Sequence, residues 1–209
     1  MKITIFGATG RAGVHLVEQA LAAGHEVTIL ARDPARVKTQ HAHLVVLSGN
    51  AQDAAQVAQA VRGAEAVISV LGPTQNKPTY EVSAGMDNIL AAMRQQGVRR
   101  LIVSAGAGVG DPNDALGLPT HLINFLLKTF ARYVYEDMRR VVEKVRASDT
   151  DWTIVRVPML TDDPHTGKIQ VGYVGKGMGM RIGQADMADF MLRQLNDATY
   201  LHKAPAISN

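Results

Sequence analysis

The sequence predicts one α/β domain built around a doubly wound parallel sheet. Six short, largely apolar runs alternate with segments in which apolar residues recur every three or four positions. Runs without a polar face are typical of parallel strands buried on both sides, and the intervening spacing is typical of helices. Strands and helices that alternate in this way indicate a doubly wound sheet. The predicted strands are Ile3–Phe6, Glu26–Leu30, Leu44–Leu47, Ala66–Val70, Leu101–Val103 and Trp152–Val157.

The first three predicted helices each stop at a glycine that leads into the next strand. These glycines are Gly24, Gly63 and Gly97. Glycine is a common helix stop because it adopts the left-handed conformation without strain. Helices that stop in this way and continue directly into strands indicate successive right-handed βαβ units.

The composition excludes several classes of protein. The chain of 209 residues contains no cysteine, which excludes a disulfide scaffold, a thiol nucleophile and a thiolate metal site. Its 22 Lys and Arg against 19 Asp and Glu give a net charge of +3, without a long basic run. The longest apolar stretch, Leu122 to Leu127, is far shorter than the roughly 20 residues of a bilayer span. The histidines lack metal-ligand spacing. We therefore expect a cytoplasmic protein with no metal, nucleic-acid or membrane partner.

A glycine-rich segment follows the first strand and opens the first helix. It reads Gly7-Ala8-Thr9-Gly10-Arg11-Ala12-Gly13. Gly7 permits a tight turn, Gly10 allows a pyrophosphate to approach the backbone, and Gly13 allows the helix to pack against the strand. The helix N-terminus then favours the phosphates. The segment therefore predicts dinucleotide binding, the alternative being a turn that only packs tightly.

The end of the second strand predicts which dinucleotide binds. NAD enzymes usually place an acid there for the ribose 2′-hydroxyl. This chain has Arg32, followed one turn later by Arg36, and two guanidinium groups can hold a 2′-phosphate. Asp33 is predicted to cap the short helix that starts at Pro34. We predict NADP rather than NAD, the alternative being two solvated surface arginines.

The ends of the later strands are predicted to complete the site. Gly49-Asn50-Ala51 would contact the adenine, and Leu71-Gly72-Pro73 the ribose and pyrophosphate. Ser104-Ala105-Gly106 and Val157-Pro158-Met159 would flank the nicotinamide. Ordinary turn chemistry is the alternative for each segment. We predict that residues 1–209 form one domain, with residues 1–157 as the dinucleotide-binding core and 158–209 as an appendage on the substrate side.

These motifs resemble those of the atypical short-chain dehydrogenase/reductases, a family with a Rossmann-type fold. The most similar type is the NAD(P)H-binding flavin reductase or biliverdin-IXβ reductase, with its NmrA-like relatives. The resemblance spans almost the whole chain. The segments that carry it are Phe6-Gly7-Ala8-Thr9-Gly10, Leu30-Ala31-Arg32-Asp33, Leu71-Gly72 and the loop Pro158…Asp162-Asp163-Pro164…Thr166-Gly167.

The resemblance implies transfer of a hydride from NADPH to a planar acceptor such as a flavin, a quinone or a linear tetrapyrrole. FMN or FAD would then be a substrate rather than a bound cofactor. By this resemblance, the pyrophosphate would lie on Gly7, Thr9, Gly10 and Ala12, the 2′-phosphate on Arg32 and Arg36, and the adenosine side on Asn50, Ala51, Leu71 and Gly72.

The chain departs from the family where a proton donor is expected. Ser104 and Met159 are predicted to flank the nicotinamide, but Gly106 stands where biliverdin-IXβ reductase has a hydroxyl residue, and Met159 where it has a histidine. Tyr135 is followed four positions later by Arg139 rather than lysine. Reduction of a flavin or quinone can take its proton from solvent, so a reductase is the first hypothesis. A non-catalytic redox sensor of the NmrA type is the second.

The segment 121–135 and its surroundings offer weaker candidates. His121, Tyr133, Tyr135 and His165 would either line an acceptor pocket or serve in packing. The apolar residues from Leu122 to Phe130 predict a core helix, a lid over the acceptor or a subunit contact. The sequence is compatible with a monomer or a homodimer.

Overall fold

A computed structural model of the chain describes residues 1–115, 117 and 129–209. Its helices are α1 (Arg11–Ala22), α2 (Ala54–Val61), α3 (Glu81–Gln96), α4 (Arg132–Ala147) and α5 (Gln184–Arg193). Its strands are β1 (Lys2–Phe6), β2 (Glu26–Ala31), β3 (Leu44–Ser48), β4 (Ala66–Ser69), β5 (Arg100–Gly106), β6 (Asp151–Val157), β7 (Met159–Thr161), β8 (Gln170–Gly172), β9 (Arg181–Gly183) and β10 (Ala206–Ser208). His121 and the predicted apolar helix from Leu122 to Leu127 lie outside the described residues.

The main sheet confirms the predicted doubly wound α/β fold. Its strand order is β3-β2-β1-β4-β5-β6-β10-β8, in which only β8 runs antiparallel to its neighbour. The chain first moves from β1 outward to β3 and then returns to β4 on the other side of β1. The carboxyl ends of β1 and β4 therefore enclose the crevice where ligands of open α/β sheets bind.

Helices cover both faces of the sheet. Ile3 and Ile5 of β1 pack on one face with Leu16 of α1 and Met187 of α5. Phe6 packs on the opposite face, in the layer formed by α2, α3 and α4. This alternation buries the central strands on both sides, as their apolar runs predict. None of the helices in the described ranges is long and apolar enough to cross a bilayer.

Strand β3 differs from the prediction. It was expected to be buried on both sides, but Val45 is 52% exposed and Val46 37% exposed. The reason is its position, because β3 forms an edge of the sheet beyond the cover of the helices. An apolar run therefore predicts a strand here without predicting its burial.

The residues after Val157 extend the sheet and fasten its last helix. Strand β8 lies in the stretch Lys168 to Met180, where the glycine-rich sequence predicts irregular or short β structure, whereas β10 was not predicted. Both strands continue the sheet beyond β6, and α5 packs against α1. The buried Asp186 accepts hydrogen bonds from Thr166 N–H at 3.0 Å and Gly167 N–H at 2.8 Å, and from the Asn209 amide. Burial alone would raise the pKa of Asp186, but these hydrogen bonds hold it below its ordinary value.

Candidate functional site

A cleft of about 230 Å³ lies at the carboxyl edge of the sheet. It is formed where β1, β2, β3 and β4 end. Ten of the predicted site residues line it: Gly7, Thr9, Gly10, Arg32, Arg36, Gly49, Asn50, Ala51, Leu71 and Gly72. The residues that line it without having been predicted as site residues include Gln52, Thr74, Glu81 and Val82. Only their position in the chain could have identified them as site residues, since each follows the end of β3 or β4.

The glycine-rich turn has the geometry that its sequence predicts. Gly7 has a φ of +85°, and a Cβ at this position would lie 2.7 Å from the carbonyl of Val70. A Cβ at Gly13 would lie 2.8 Å from the Cα of Ala8. The first glycine therefore allows β1 to turn beside β4, and the last allows α1 to start against that turn. Gly10 lines the cleft between them.

The N-terminus of α1 differs from those of α2 and α3. Asp53 caps α2 by accepting hydrogen bonds from Ala55 N–H at 2.9 Å and Gln56 N–H at 3.0 Å. The first turn of α1 has no side-chain cap and no acidic residue. Unpaired N–H groups and the helix dipole at such an end attract an anion. Of these three described helices, α1 alone leaves this position open, because a carboxylate also occupies the N-terminus of α3.

That carboxylate belongs to α4. Asp137, which is buried, accepts hydrogen bonds from Val82 N–H at 3.1 Å and Ser83 N–H at 2.9 Å. The preceding residue, Tyr80, has a φ of 49°, which is uncommon for a side chain other than glycine. Its hydroxyl donates to Glu136 at 2.9 Å, and this hydrogen bond raises the pKa of Tyr80. Contacts with α4 thus hold the start of α3, which forms one wall of the cleft.

Arg32 and Arg36 bring two guanidinium groups to the cleft. Asp33 between them accepts a hydrogen bond from Ala35 N–H at 3.1 Å, which confirms its prediction as a cap. Within the described ranges, neither arginine lies within ion-pair distance of a carboxylate. Arg99, by contrast, pairs with Asp151 at 3.0 Å. The two cleft arginines are therefore available to an anion from solvent.

The loop after β3 is held in place from within the protein. Asn50 N–H donates to the Gln56 side chain at 2.8 Å, and the Ala51 carbonyl accepts from the Asn88 side chain at 2.9 Å. Both supporting residues lie on neighbouring helices. The cleft side of this loop therefore has a defined shape before any ligand binds.

The other predicted residues do not line this cleft. Ala12 and Gly13 are buried in the first turn of α1. Arg11, also in that turn, is exposed and does not line the cleft. Ser104 is buried on β5, where it pairs in register with Val155 of β6. Pro158 follows β6.

Met159 opens β7 and is 64% exposed. Strands lie about 4.8 Å apart, so the end of β6 is about 14 Å from that of β1. Ser104, Pro158 and Met159 therefore stay predictions for the nicotinamide end.

Tyr133 and Tyr135 lie at the start of α4, and Tyr135 is followed four residues later by an arginine rather than a lysine. The N–H of Tyr133 donates to Asn76 at 3.0 Å, and Arg139, four residues after Tyr135, pairs with Glu143 at 2.9 Å. Arg139 therefore has a carboxylate partner of its own within the described residues.

His165 belongs to a cluster with Asp186 and Asp189 that has the spacing of metal ligands. Its Nε2 lies 3.2 Å from Asp189. Asp186 already accepts several hydrogen bonds, and Asp189 accepts one from Arg193 at 2.8 Å. Because these bonds occupy both carboxylates, the cluster fastens α5, and we assign it no metal.

Comparison with known proteins identifies the family of the chain. Residues 7–198 match the model of a family described as NAD(P)H-binding. The chain is 30% identical over 111 residues to the uncharacterized protein YwnB of Bacillus subtilis. That match covers 52% of this chain and 48% of YwnB, so the chain spans about half the length of that relative.

Solved structures share the fold over the whole chain. The oxidoreductase ylbE from Lactococcus lactis superposes with a TM-score of 0.83 at 19% identity, covering 100% of this chain and 91% of that one. A short-chain dehydrogenase/reductase from Veillonella parvula in complex with NADP superposes with a TM-score of 0.79 at 21% identity, covering 100% and 94%. The family match covers the glycine-rich turn, both cleft arginines and the final helix, and this chain belongs to the NAD(P)H-binding family.

Proposed function

We propose that the protein is an NADPH-dependent reductase that transfers a hydride to a planar acceptor such as a flavin, a quinone or a linear tetrapyrrole. The observation that carries the proposal is the cleft, which joins the open N-terminus of α1 to two arginines that pair with no carboxylate of the described residues. The pyrophosphate fits the turn from Gly7 to Gly13, because an anion there faces N–H groups and the helix dipole. NADPH, when bound, supplies the hydride.

The choice of NADPH over NADH rests on Arg32 and Arg36. Both line the cleft, and a carboxylate suited to a ribose hydroxyl is not found at the end of β2, since Asp33 caps the short helix Pro34–Arg36. A guanidinium group binds phosphate through charge-assisted hydrogen bonds. The chemistry of this side of the cleft therefore favours a nucleotide that carries a 2′-phosphate.

The choice of acceptor rests on the nicotinamide end. Ser104 is buried and Met159 is largely exposed. Asp162 and Asp163, the carboxylates that follow Met159 in the chain, already accept hydrogen bonds from Gln184 and Thr161. Reduction of a carbonyl needs a placed acid, whereas a flavin or quinone can take its proton from solvent. The protein would then act by holding the nicotinamide and acceptor in contact and away from water. This supports the flavin reductase type within the wider family.

The test is NADPH oxidation by the purified protein with FMN as acceptor, run in parallel with NADH. We expect turnover with NADPH, weaker turnover with NADH, and none in a Gly10→Asp variant, whose carboxylate would repel the pyrophosphate. Far-ultraviolet circular dichroism should show that this variant is folded. Tight NADPH binding without turnover, repeated with a quinone, would contradict a reductase and favour the non-catalytic sensor.

A further inference from the structure

The outward face of the small sheet formed by β7 and β9 combines apolar surface with the cation of Arg181. The two strands pair in parallel, with Met159 opposite Arg181 and Leu160 opposite Ile182. Ile182 is fully buried against the core. Because side chains alternate along a strand, Met159 and Arg181 point to the other side, away from the core.

Two methionines border this face. Met159 is 64% exposed and Met180 is 65% exposed, and the N–H of Met159 donates to the carbonyl of Met180 at 3.2 Å. Large apolar side chains this exposed are rare in the described structure. Methionine is flexible and polarizable, and it packs well against aromatic rings. The pair therefore suits contact with a flat, conjugated molecule.

Arg181 is exposed, and no carboxylate within the described ranges pairs with it. The nearby acids have other partners, since Asp162 accepts from Gln184 at 2.6 Å and Asp163 accepts from Thr161 at 2.7 Å. The backbone of Arg181 is also fixed, because its carbonyl accepts from Asn209 N–H at 3.1 Å. A free guanidinium thus lies on a fixed strand beside Met159.

We propose that this face binds the acceptor, and that Arg181 selects acceptors that carry a phosphate or carboxylate group. The inference rests on the proposed function and adds the charge of the acceptor to it. Met159 begins two residues after the end of β6, so the face lies at the same sheet edge as the predicted nicotinamide position. Met159 contacts the rings, and Arg181 binds the anionic group through charge-assisted hydrogen bonds.

The experiment compares two acceptors that share one ring system. FMN carries a phosphate and riboflavin does not, so their ratio of kcat/KM with NADPH measures recognition of the anionic group. We expect the Arg181→Gln variant to lose roughly tenfold in kcat/KM for FMN and less than twofold for riboflavin. A Met159→Gln variant should lower both values together.

The matched control is Arg62→Gln, which removes the same charge beside the amino ends of the strands, near Lys2 and Glu26. It should leave the ratio unchanged. An unchanged ratio in Arg181→Gln would overturn the inference, while turnover with neither flavin in the unmodified protein would contradict the proposed reductase instead. The affinity of the NADP⁺-bound protein for each flavin can also be measured by flavin fluorescence. This measurement decides the role of Arg181 even without turnover.

Discussion

The two halves of the carboxyl edge are built from different chemical groups. At the ends of β1 to β4, backbone groups dominate, namely the turn at Gly7 and the open N-terminus of α1. At the end of β6, exposed side chains dominate, among them Met159 and Arg181. A backbone site suits a ligand part that never changes, such as a pyrophosphate. A side-chain site can change by substitution without loss of the fold, which suits the part of a reaction that differs between relatives.

The largest effect on stability is expected at the buried ion pair that joins β6 to the loop after β5. Arg156 and Asp114 form a buried ion pair at 2.7 Å. Asp114→Ala would leave a buried cation without its partner, so we expect the free energy of unfolding to fall by about 3–5 kcal/mol, measured by chemical denaturation. Replacing both residues, Asp114→Leu with Arg156→Met, should recover most of the loss. The control is Glu143→Ala, which breaks an exposed ion pair. If Asp114→Ala lowered the free energy of unfolding no more than this control does, the account would be contradicted.

The next effect tests the backbone half. Gly7→Ala would combine a left-handed φ of +85° with a Cβ that lies 2.7 Å from the Val70 carbonyl. We expect it to cost about 2–4 kcal/mol of stability and to abolish NADPH binding, measured by thermal unfolding and calorimetry. Gly24→Ala is the control, since its φ is +79° but nothing lies within 4 Å of its Cβ. Equal losses in both variants would show that the close approach to β4 is unimportant.

A smaller and more selective effect is expected at the cleft arginines. Arg32→Ala should weaken NADPH binding by about 1.5–3 kcal/mol and leave NADH binding almost unchanged, because only NADPH carries the 2′-phosphate. Isothermal titration with both nucleotides measures the difference. Equal losses for both nucleotides would mean that the 2′-phosphate binds elsewhere.

The smallest effect concerns pH and the fastening of α5. The pKa of Asp186 is lowered in the folded protein, so the carboxylate stabilises the fold above its ordinary pKa and loses this contribution as pH falls through the lowered value. We expect Asp186→Asn to be less stable at pH 7 and to lose less further stability between pH 6 and pH 3 than the unmodified protein. Thermal unfolding across this range provides the measurement. Parallel pH profiles would argue against this role.

The sequence predicts the backbone half better than the side-chain half, for a physical reason. The turn from Gly7 to Gly13 and the arginines at the end of β2 are local signals, because their roles depend on neighbours in the chain. Asp137 could not be identified in this way, since the amides that it caps lie 55 and 54 residues earlier. The pairing of Arg156 with Asp114, 42 residues apart, is equally non-local.

The capping of α3 by Asp137 has a consequence for the order of events during synthesis. Residues 1–106 contain β1 to β5 and all of α3, so much of the sheet and three helices can form early. The first turn of α3 still lacks its carboxylate until α4 has left the ribosome and docked. The cleft at the carboxyl edge therefore matures only when this later helix arrives. A shorter nascent chain would present the glycine turn with an unfinished wall beside it.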